Sequence, residues 1–335
     1  MNSFGRIFRV HIFGESHGEC VGVTIDGCPA GLPLSVDDFI ADLERRKGGT
    51  KGTTPRKEDD IPHIKTGVFN NKTTGAPITI LFDNANIRSS DYEKQREIPR
   101  PGHADFVAHA KFGGFEDYRG SGHFSGRLTV CLVAAAVIAK KIFPANKGTA
   151  IGIRSEILEI GGEKDIDKGL QKAIDAKDSV GGIIECRVNG LPVGLGEPFF
   201  DSVESLISHA VFAIPAIRAI EFGTGSSAAR MFGSEHNDAI QDDSGKTATN
   251  HAGGVVGGIT NGNELVYRIA VKPTSSTPKE QQSLNWETHS VENFSVKGRH
   301  DLCIALRVPV ILEAVTAIVL ADLFLLEQKI PRTIL

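Results

Sequence analysis

Alternating apolar positions give the clearest prediction of strands along this chain. Residues 21–25 alternate valine and isoleucine with smaller or polar residues, and residues 184–188 do the same later on. Residues 265–271 form a third stretch of this kind, ending before Lys272. A period of two is typical of strands with one buried face, so we predict strands in all three places.

Helical periodicity dominates two other segments. Apolar residues recur at helical spacing in residues 125–141, which predicts an amphipathic helix, whereas residues 308–326 are apolar around almost the whole circumference. The second helix should therefore be buried on most sides. Arg307, Glu313 and Asp322 interrupt this region, and since a span needs about 20 apolar residues, we expect no membrane association. Mixed strands and helices predict an α+β fold in layers.

A short pattern occurs twice, about half a chain apart. Residues 24–32 (TIDGCPAGL) and 187–195 (RVNGLPVGL) share Gly, Pro, Gly and Leu at equivalent positions. Each follows a predicted strand and precedes a helix start, where Ser35 with Asp38 and Asp201 with Glu204 could form capping boxes. We predict a single domain, residues 1–335, built from two related halves (about 1–165 and 166–335) around a pseudo-twofold axis. The alternative is one favoured turn used twice.

Composition limits the classes of function. The 335 residues are 40% hydrophobic and 23% charged, enough for a substantial core. A net charge of -4 argues against a surface devoted to nucleic acid or anionic lipid, so any anion site is local. Five cysteines without a CxxC pair, and an N-terminus without the pattern of a secretory signal, predict a reducing, cytoplasmic location.

Three segments keep other functions open. Residues 245–247 (GKT) end like a phosphate-binding loop, although Ile240 stands where the leading glycine belongs. Residues 223–228 match the dinucleotide-binding pattern GxGxxA without a clear βαβ unit around them. The basic loop 45–56 could bind RNA, although no aromatic residues interleave its charges.

Five regions combine glycine, histidine, arginine and hydroxyl residues. They are 14–18 (GESHG), 45–56 (RRKGGTKGTTPR), 100–105 (RPGHAD), 117–127 (DYRGSGHFSGR) and 272–276 (KPTSS) with 298–301 (GRHD) downstream. Arginines and free backbone amides bind phosphate or carboxylate, and imidazole exchanges protons near neutral pH. The sequence has no carboxylate cluster typical of Mg²⁺ sites. We predict an enzyme acting on a phosphate ester, with no metal.

Together these motifs resemble the chorismate synthase family, in that family's order and over nearly the whole chain. Residues 53–56 and 253–258 also match. The resemblance implies an α+β fold arranged as a layered β-α-β sandwich with internal pseudo-symmetry, in a homotetramer. It implies a lyase of the shikimate pathway that eliminates phosphate (1,4-anti) from 5-enolpyruvylshikimate 3-phosphate to give chorismate, for aromatic amino-acid biosynthesis. The cofactor would be reduced FMN (FMNH2), without net redox change, and either the protein itself, with NADP, or a separate flavin reductase would reduce it.

The resemblance also implies roles for individual residues. His17 would protonate the departing phosphate, and His103 would protonate or neutralise the reduced flavin. Asp301 would help the flavin N5 region take the ring proton. Ser16 and Ser125 would support this proton network.

Ligand contacts implied by the resemblance form two sets. The substrate phosphate and carboxylates would be bound by Arg46, Arg100, Arg119 and Arg127. The flavin would contact His123, Phe124, Ser125, Pro215, Ala216, Gly257, Lys272, Pro273, Thr274, Ser275, Ser276 and Arg299. The chain departs from the family pattern at His123 and Phe124, where many members have Arg-Ser, at Ser121, which replaces a glycine, and at Gly52, where some members have a cation.

Overall fold

The structure is a computed structural model of the chain and describes residues 2–56, 58–86, 97–144, 150–296 and 300–328. The helices are α1 (Ile40–Arg46), α2 (Asp105–Phe112), α3 (Thr129–Lys141), α4 (Ile166–Ala176), α5 (Val203–Val211), α6 (Gly233–His236) and α7 (Val308–Leu326). The strands are β1 (Ser3–Phe4), β2 (Arg9–Gly14), β3 (Cys20–Asp26), β4 (His63–Ile64), β5 (Val68–Phe69), β6 (Lys72–Thr73), β7 (Ile78–Asp83), β8 (Gly152–Ile160), β9 (Gly182–Asn189), β10 (Ile217–Phe222), β11 (Val255–Val256), β12 (Ile259–Thr260), β13 (Leu265–Val271), β14 (Gln281–Asn285) and β15 (Ser290–Phe294).

Two antiparallel sheets contain the longer strands. The first has the order β1-β2-β3-β7-β4 and the second β10-β13-β9-β8. In the first sheet Val23 of β3 lies between Ile12 and Ile80 of its two neighbours. The three strands predicted from alternation are confirmed as β3, β9 and β13, and all are central strands with several fully buried side chains.

Helices fill the space between the two sheets. The first sheet packs on α3 through β3 and β2, α3 packs on α7, and α7 packs on β8 and β9 of the second sheet. The shorter helices α1 and α5 also pack on α7. The predicted α+β fold, a β-α-β sandwich, is confirmed.

The two central helices are unusually apolar. The stretches Arg119–Lys141 and Ile304–Leu326 would be long and apolar enough to cross a membrane if judged by length and composition alone. They are 72% and 94% buried within the protein. Packing between the sheets therefore accounts for their apolar character.

Both copies of the repeated turn are held in the same way. In the first, the Thr73 hydroxyl accepts from the Leu32 amide (2.9 Å) and donates to the Pro29 carbonyl (2.6 Å). In the second, Thr260 does the same with the Leu195 amide (2.9 Å) and the Pro192 carbonyl (2.7 Å). Both threonines come from short hairpins, β5–β6 and β11–β12. The two turns are therefore alike in structure, while the two related halves, with a boundary near residue 165, stay a prediction.

Helix starts differ in detail from the expectation. The helix predicted over 125–141 begins at Thr129, because Ser125 instead caps a preceding 3₁₀ turn. Ser35 and Asp38 form the expected capping box. At α5 the cap is Ser202, while the Asp201 carboxylate pairs with Arg6, so the expected pairing of Asp201 with Glu204 is wrong.

Candidate active site

A cavity of about 710 Å³ lies where the start of α3, the first half of α7 and the loops after α1 and β13 meet. Its volume is within the range of small-molecule sites. Its lysine and arginine residues outnumber its carboxylates by seven to three: Arg46, Lys47, Arg56, Arg100, Arg127, Lys272 and Arg307 against Glu58, Asp60 and Asp301. Much of the remaining wall is apolar, including Phe4, Val10, Ile12, Leu128, Leu132, Ile214, Val308, Ile311, Val315 and Ile318.

Most predicted site residues converge on this cavity. Its lining includes Arg46, Arg100, His103, His123, Phe124, Ser125, Arg127, Pro215, Ala216, Lys272, Pro273, Thr274, Ser275, Ser276 and Asp301. Ser16 and His17 are buried and do not line the cavity, but they lie against two lining residues, Arg56 and Gly120. Segments separated by more than 200 residues in sequence thus meet at one site.

A buried carboxylate joins two of the predicted substrate arginines. Asp60 binds Arg46 (Nη2 to Oδ2, 2.5 Å) with one oxygen and Arg127 with the other, and all three side chains are almost inaccessible to solvent. Arg127 also donates to the Asn84 side chain and the Asp83 carbonyl. Arg127 is therefore held firmly by the protein itself.

Arg46 lines the cavity and has one donor atom without a partner in the described ranges. Its Nε is buried and has no hydrogen-bond partner within the described part of the chain. Burial lowers the Arg46 pKa to about 10; Asp60 opposes this effect, whereas Arg307 and Arg127 reinforce it. Burial works against ionisation of Asp60, yet the two arginines hold its pKa below the usual range. An unsatisfied buried guanidinium N–H is a ready donor to an anionic ligand.

Arg56 connects the cavity wall to Ser16 and His17. Its guanidinium binds the Glu58 carboxylate (Nη2 to Oε1, 2.6 Å) and donates to the Ser16 hydroxyl (3.2 Å). Burial lowers the His17 pKa and Arg56 acts in the same direction, against the opposing charge of Asp117. The His17 imidazole is therefore mainly neutral at pH 7 in the ligand-free protein.

The ring of His17 lies against the glycine loop. A Cβ placed on Gly120 would lie 2.3 Å from His17 Cδ2 and 2.5 Å from Nε2. Gly120 also has a φ of 57°, a conformation that favours glycine. Glycine at this position lets the cavity wall approach the imidazole directly.

His103 is held by an Arg–Asp pair. Arg100 binds Asp105 with two bonds (Nε to Oδ2 and Nη2 to Oδ1, both 2.7 Å) and also donates to Ser276 and Ser121. His103 Nδ1 lies 2.7 Å from the same Asp105 oxygen. Arg100 Nη2 also lies 3.0 Å from Nδ1, but its two hydrogens have shorter contacts with Asp105 and Ser121. Because an ionised carboxylate only accepts, we assign the hydrogen to Nδ1 and the acceptor role to Nε2 in the neutral imidazole.

Burial dominates the electrostatics of this group. It lowers the His103 pKa; Asp105 opposes the shift, and Arg100 and Lys272 reinforce it. Burial also acts against ionisation of Asp105, but hydrogen bonds from Arg100 and His103 hold its pKa far below the usual range. Asp105 is therefore a fixed anion, and His103 is available to accept a proton at Nε2.

Asp301 and the loop after β13 complete the polar wall. Asp301 accepts from the Thr54 amide (2.9 Å) and faces Arg307 (Oδ2 to Nη1, 3.3 Å). Lys272 Nζ donates to the Gly102 carbonyl (3.0 Å). The Thr274 hydroxyl is buried and, like Arg46 Nε, has no partner among the residues that the structure describes.

Three predicted residues lie elsewhere. Arg119 pairs with Asp117 (2.8 Å), its side chain is 43% exposed, and it does not line the cavity. Gly257 also lies outside the lining. Arg299 falls outside the described residues.

Sequence reasoning missed several residues of the cavity wall. No role was expected for Glu58, Asp60 or Arg307, and Arg56 was expected only as one cation of the basic loop 45–56; all four line the cavity. Arg307 carried a signal, because a charge at the start of an apolar helix requires a polar partner. In the described ranges no group of three or more His, Cys, Asp or Glu residues is arranged to hold a metal ion.

The nucleotide and RNA alternatives do not fit the structure. Residues 245–247 lie in an exposed turn closed by an Ile240–Thr247 bridge, with no helix after them. Residues 223–228 follow β10, which pairs antiparallel with β13, so no βαβ unit is present there. In the basic loop 45–56, Arg45, Arg46 and Arg56 all point to buried carboxylates.

This fold and this cavity define an enzyme with a site for a small anionic ligand. A family model described as chorismate synthase matches residues 8–325. A curated chorismate synthase from Chitinophaga pinensis is 72% identical over 329 residues, covering 98% of each chain, and one from Dehalococcoides mccartyi is 45% identical over 360 residues, covering 99% of each. A solved crystal structure of chorismate synthase superposes with a TM-score of 0.72 at 25% identity, over 97% of this chain and 93% of the other. The chain belongs to the chorismate synthase family and is a lyase.

Proposed function

We propose that this enzyme eliminates phosphate from 5-enolpyruvylshikimate 3-phosphate in a 1,4-anti reaction to give chorismate, with bound reduced FMN and no net redox change. The observation that carries the proposal is the excess of cations in the cavity lining, seven lysine and arginine residues against three carboxylates. The substrate has a phosphate and carboxylates, which such donors bind.

The cavity residues also fit a flavin. The apolar part of the lining suits a planar aromatic ring, and Thr274, whose buried hydroxyl has no partner among the described residues, also lines the cavity. We assign FMN to the predicted residues that line this wall: His123, Phe124, Ser125, Pro215, Ala216 and 272–276. Reduced FMN, when bound, supplies an electron-rich ring that stabilises charge developing on the substrate.

Residues around the cavity would manage the protons and charges. A phosphate dianion approaching Arg56 would raise the His17 pKa, so His17 could take up a proton and pass it to the departing phosphate, with Ser16 holding Arg56 in place. One positioned acid contributes about 10² to 10⁴ in rate. His103 would exchange a proton at Nε2, Asp301 would help the flavin N5 region take the ring proton, and Ser125 would support the network.

The assembly, the location, the source of reduced FMN and several ligand contacts remain proposals. We propose a homotetramer, a cytoplasmic location, and reduction of FMN either by this protein with NADP or by a separate reductase. All five cysteines are free thiols, which suits a reducing compartment. The ligand contacts of Arg100, Arg127 and Arg299 stay proposals, although Arg100 and Arg127 already have several protein partners. Those of Arg119 and Gly257 stay proposals too, but neither residue lines this cavity.

An anaerobic assay tests the reaction. The protein is mixed with 5-enolpyruvylshikimate 3-phosphate and either reduced or oxidised FMN, and phosphate and chorismate are measured together. We expect equal amounts of both products with reduced FMN and none with oxidised FMN alone. Phosphate release without chorismate, or no release although FMN binds, would contradict the proposal.

Matched histidine variants test the proton roles. His17→Gln and His103→Gln should each reduce kcat by at least about 10²-fold. His63→Gln is the control, because His63 is half exposed, pairs with Asp83 and does not line the cavity. Equal activity of all three variants would remove the assigned roles.

A further inference from the structure

Ser121 occupies a backbone position better suited to glycine. Its φ is 71°, and its neighbours Gly120 and Gly122 have φ of 57° and 52°. A side chain in this left-handed conformation is strained, and such strain persists where the surrounding structure enforces it. The hydroxyl must therefore be considered for what it contributes to the cavity, which Ser121 lines.

The Ser121 hydroxyl connects Arg100 to His103. Arg100 Nη2 donates to Ser121 Oγ at 2.9 Å, and the same oxygen lies 3.4 Å from His103 Nε2. Arginine can only donate, so Oγ accepts from it and keeps its own hydrogen to donate. On the other side of the ring, Nδ1 lies 2.7 Å from the Asp105 carboxylate and 3.0 Å from Arg100 Nη2. The carboxylate only accepts, and the two Nη2 hydrogens have shorter contacts with Asp105 and Ser121, so we assign the ring hydrogen to Nδ1 and the acceptor role to Nε2.

We propose that Ser121 is a positioning residue that acts through His103 as a hydroxyl switch. While the imidazole is neutral, the Ser121 hydroxyl donates to Nε2. When Nε2 takes up a proton, it no longer accepts, so the hydroxyl loses this partner and its hydrogen turns to the anion in the cavity. No covalent bond of Ser121 forms or breaks. The inference rests on the proposed function in giving His103 a proton-transfer role.

The charges facing His103 are consistent with this switch. They are the Asp105 carboxylate and the cations of Arg100 and Lys272. Burial and the two cations favour the neutral imidazole of the ligand-free protein, in which Ser121 is the donor. A bound anion favours the protonated imidazole of His103, in which the Ser121 hydroxyl no longer donates to Nε2.

Titration of His103 in the ligand-free protein tests the switch. Histidine labelled with ¹³C at Cε1 is followed by NMR against pH, and the His103 signal is assigned by its loss in His103→Gln. A hydroxyl that donates to the neutral ring lowers its pKa, so removing the hydroxyl should raise the measured value. We expect a rise of roughly half a pH unit, the equivalent of one ordinary hydrogen bond.

Two variants separate the hydroxyl from the backbone. Ser121→Ala removes the hydroxyl and keeps the strain, whereas Ser121→Gly removes both, so the switch requires a similar rise in both variants. Ser276→Ala is the matched control, because Ser276 Oγ is the other hydroxyl that accepts from Arg100 (3.0 Å). The His103 pKa measured in Ser276→Ala should equal that of the unmodified protein.

The outcomes distinguish this inference from the proposed reaction. No rise in either Ser121 variant, a rise in only one of them, or an equal rise in Ser276→Ala overturns the switch. The titration uses no substrate or flavin, so a failed chorismate assay with the expected titration overturns the proposed reaction and leaves the switch standing. In an active enzyme, the pH at which the rate profile is half-maximal should move with the His103 titration in both Ser121 variants.

Discussion

The contact between Gly120 and His17 permits a quantitative prediction. In Gly120→Ala, the new methyl carbon would lie 2.3 Å from one ring atom of His17 and 2.5 Å from another, distances that Cβ contacts do not adopt. His17 is buried, so its ring has little space into which to retreat. The substitution must move the imidazole, the glycine loop or both.

Two costs add in this variant. Placing a Cβ at a φ of 57° costs about 1 to 2 kcal/mol, and overpacking a buried contact costs about 1 to 3 kcal/mol more. We therefore expect Gly120→Ala to lose about 2 to 5 kcal/mol of unfolding free energy. Displacement of His17 should also lower kcat by at least about 10-fold, because proton transfer requires exact positioning.

Two other glycines provide the controls. Gly162 has a φ of 79° but nothing within 4 Å of an added Cβ, so Gly162→Ala measures the backbone cost alone. Gly126, in the same loop as Gly120, has neither a positive φ nor a neighbour within 4 Å, so its alanine variant should be close to neutral in stability. Urea denaturation gives all three values. A loss in Gly120→Ala no larger than that in Gly162→Ala would refute the close approach of the two residues.

Three further predictions concern the buried charged residues and His103. Asp105→Asn should destabilise the protein by about 3 kcal/mol at pH 7, since it leaves Arg100 buried without its partner. Folding lowers the Asp105 pKa, so the stabilisation that ionised Asp105 gives the folded state is complete above its unfolded pKa of about 3.9 and is lost as pH falls toward its folded pKa. Urea denaturation of the unmodified protein and of Asp105→Asn should show a difference in unfolding free energy that is constant between pH 6 and 8 and shrinks below about pH 4. Binding of inorganic phosphate near pH 7 should take up protons through His103, seen by calorimetry in buffers of different ionisation enthalpy and reduced in His103→Gln. Glu313→Gln should cost about 1 to 3 kcal/mol, and a double-mutant cycle with Arg45→Met should show strong coupling, whereas additive losses would refute a direct interaction.

The central helices and strands could be predicted because the spacing of their apolar residues indicates which faces are buried. Helix α7 begins and ends where its apolar run does, at Val308 and Leu326, and β13 spans the predicted 265–271. The start of α3 was less predictable. The apolar periodicity predicts a helix from about Ser125, but Ser125 caps a 3₁₀ turn and the helix begins at Thr129, a difference that depends on loop geometry.

The loops that line the cavity could be predicted, but the ion pairs among their side chains could not. Glycine-rich segments with arginine and histidine indicated which loops face a ligand, and most of them do line one cavity. Local sequence does not reveal that Arg46 and Arg127 share Asp60, because this partner comes from a loop 14 and 67 residues away. Free donors such as Arg46 Nε can be told from occupied ones only in three dimensions.

The three charges associated with α7 show why the site depends on the whole sandwich. Arg307 lies in the cavity wall beside Asp301, Glu313 binds Arg45 with both oxygens, and Asp322 accepts the backbone amides of residues 6–8. A buried charge without such partners would destabilise an apolar helix by several kcal/mol, so each one fixes a particular neighbour. Arg45 directly precedes Arg46, and therefore the anchor at Glu313 also orients the end of α1 from which Arg46 reaches the cavity. The apolar residues of α7 form the core between the sheets, and its carboxylates bind residues 6–8 and Arg45 of the first half of the chain, which fixes the position of that half relative to the site.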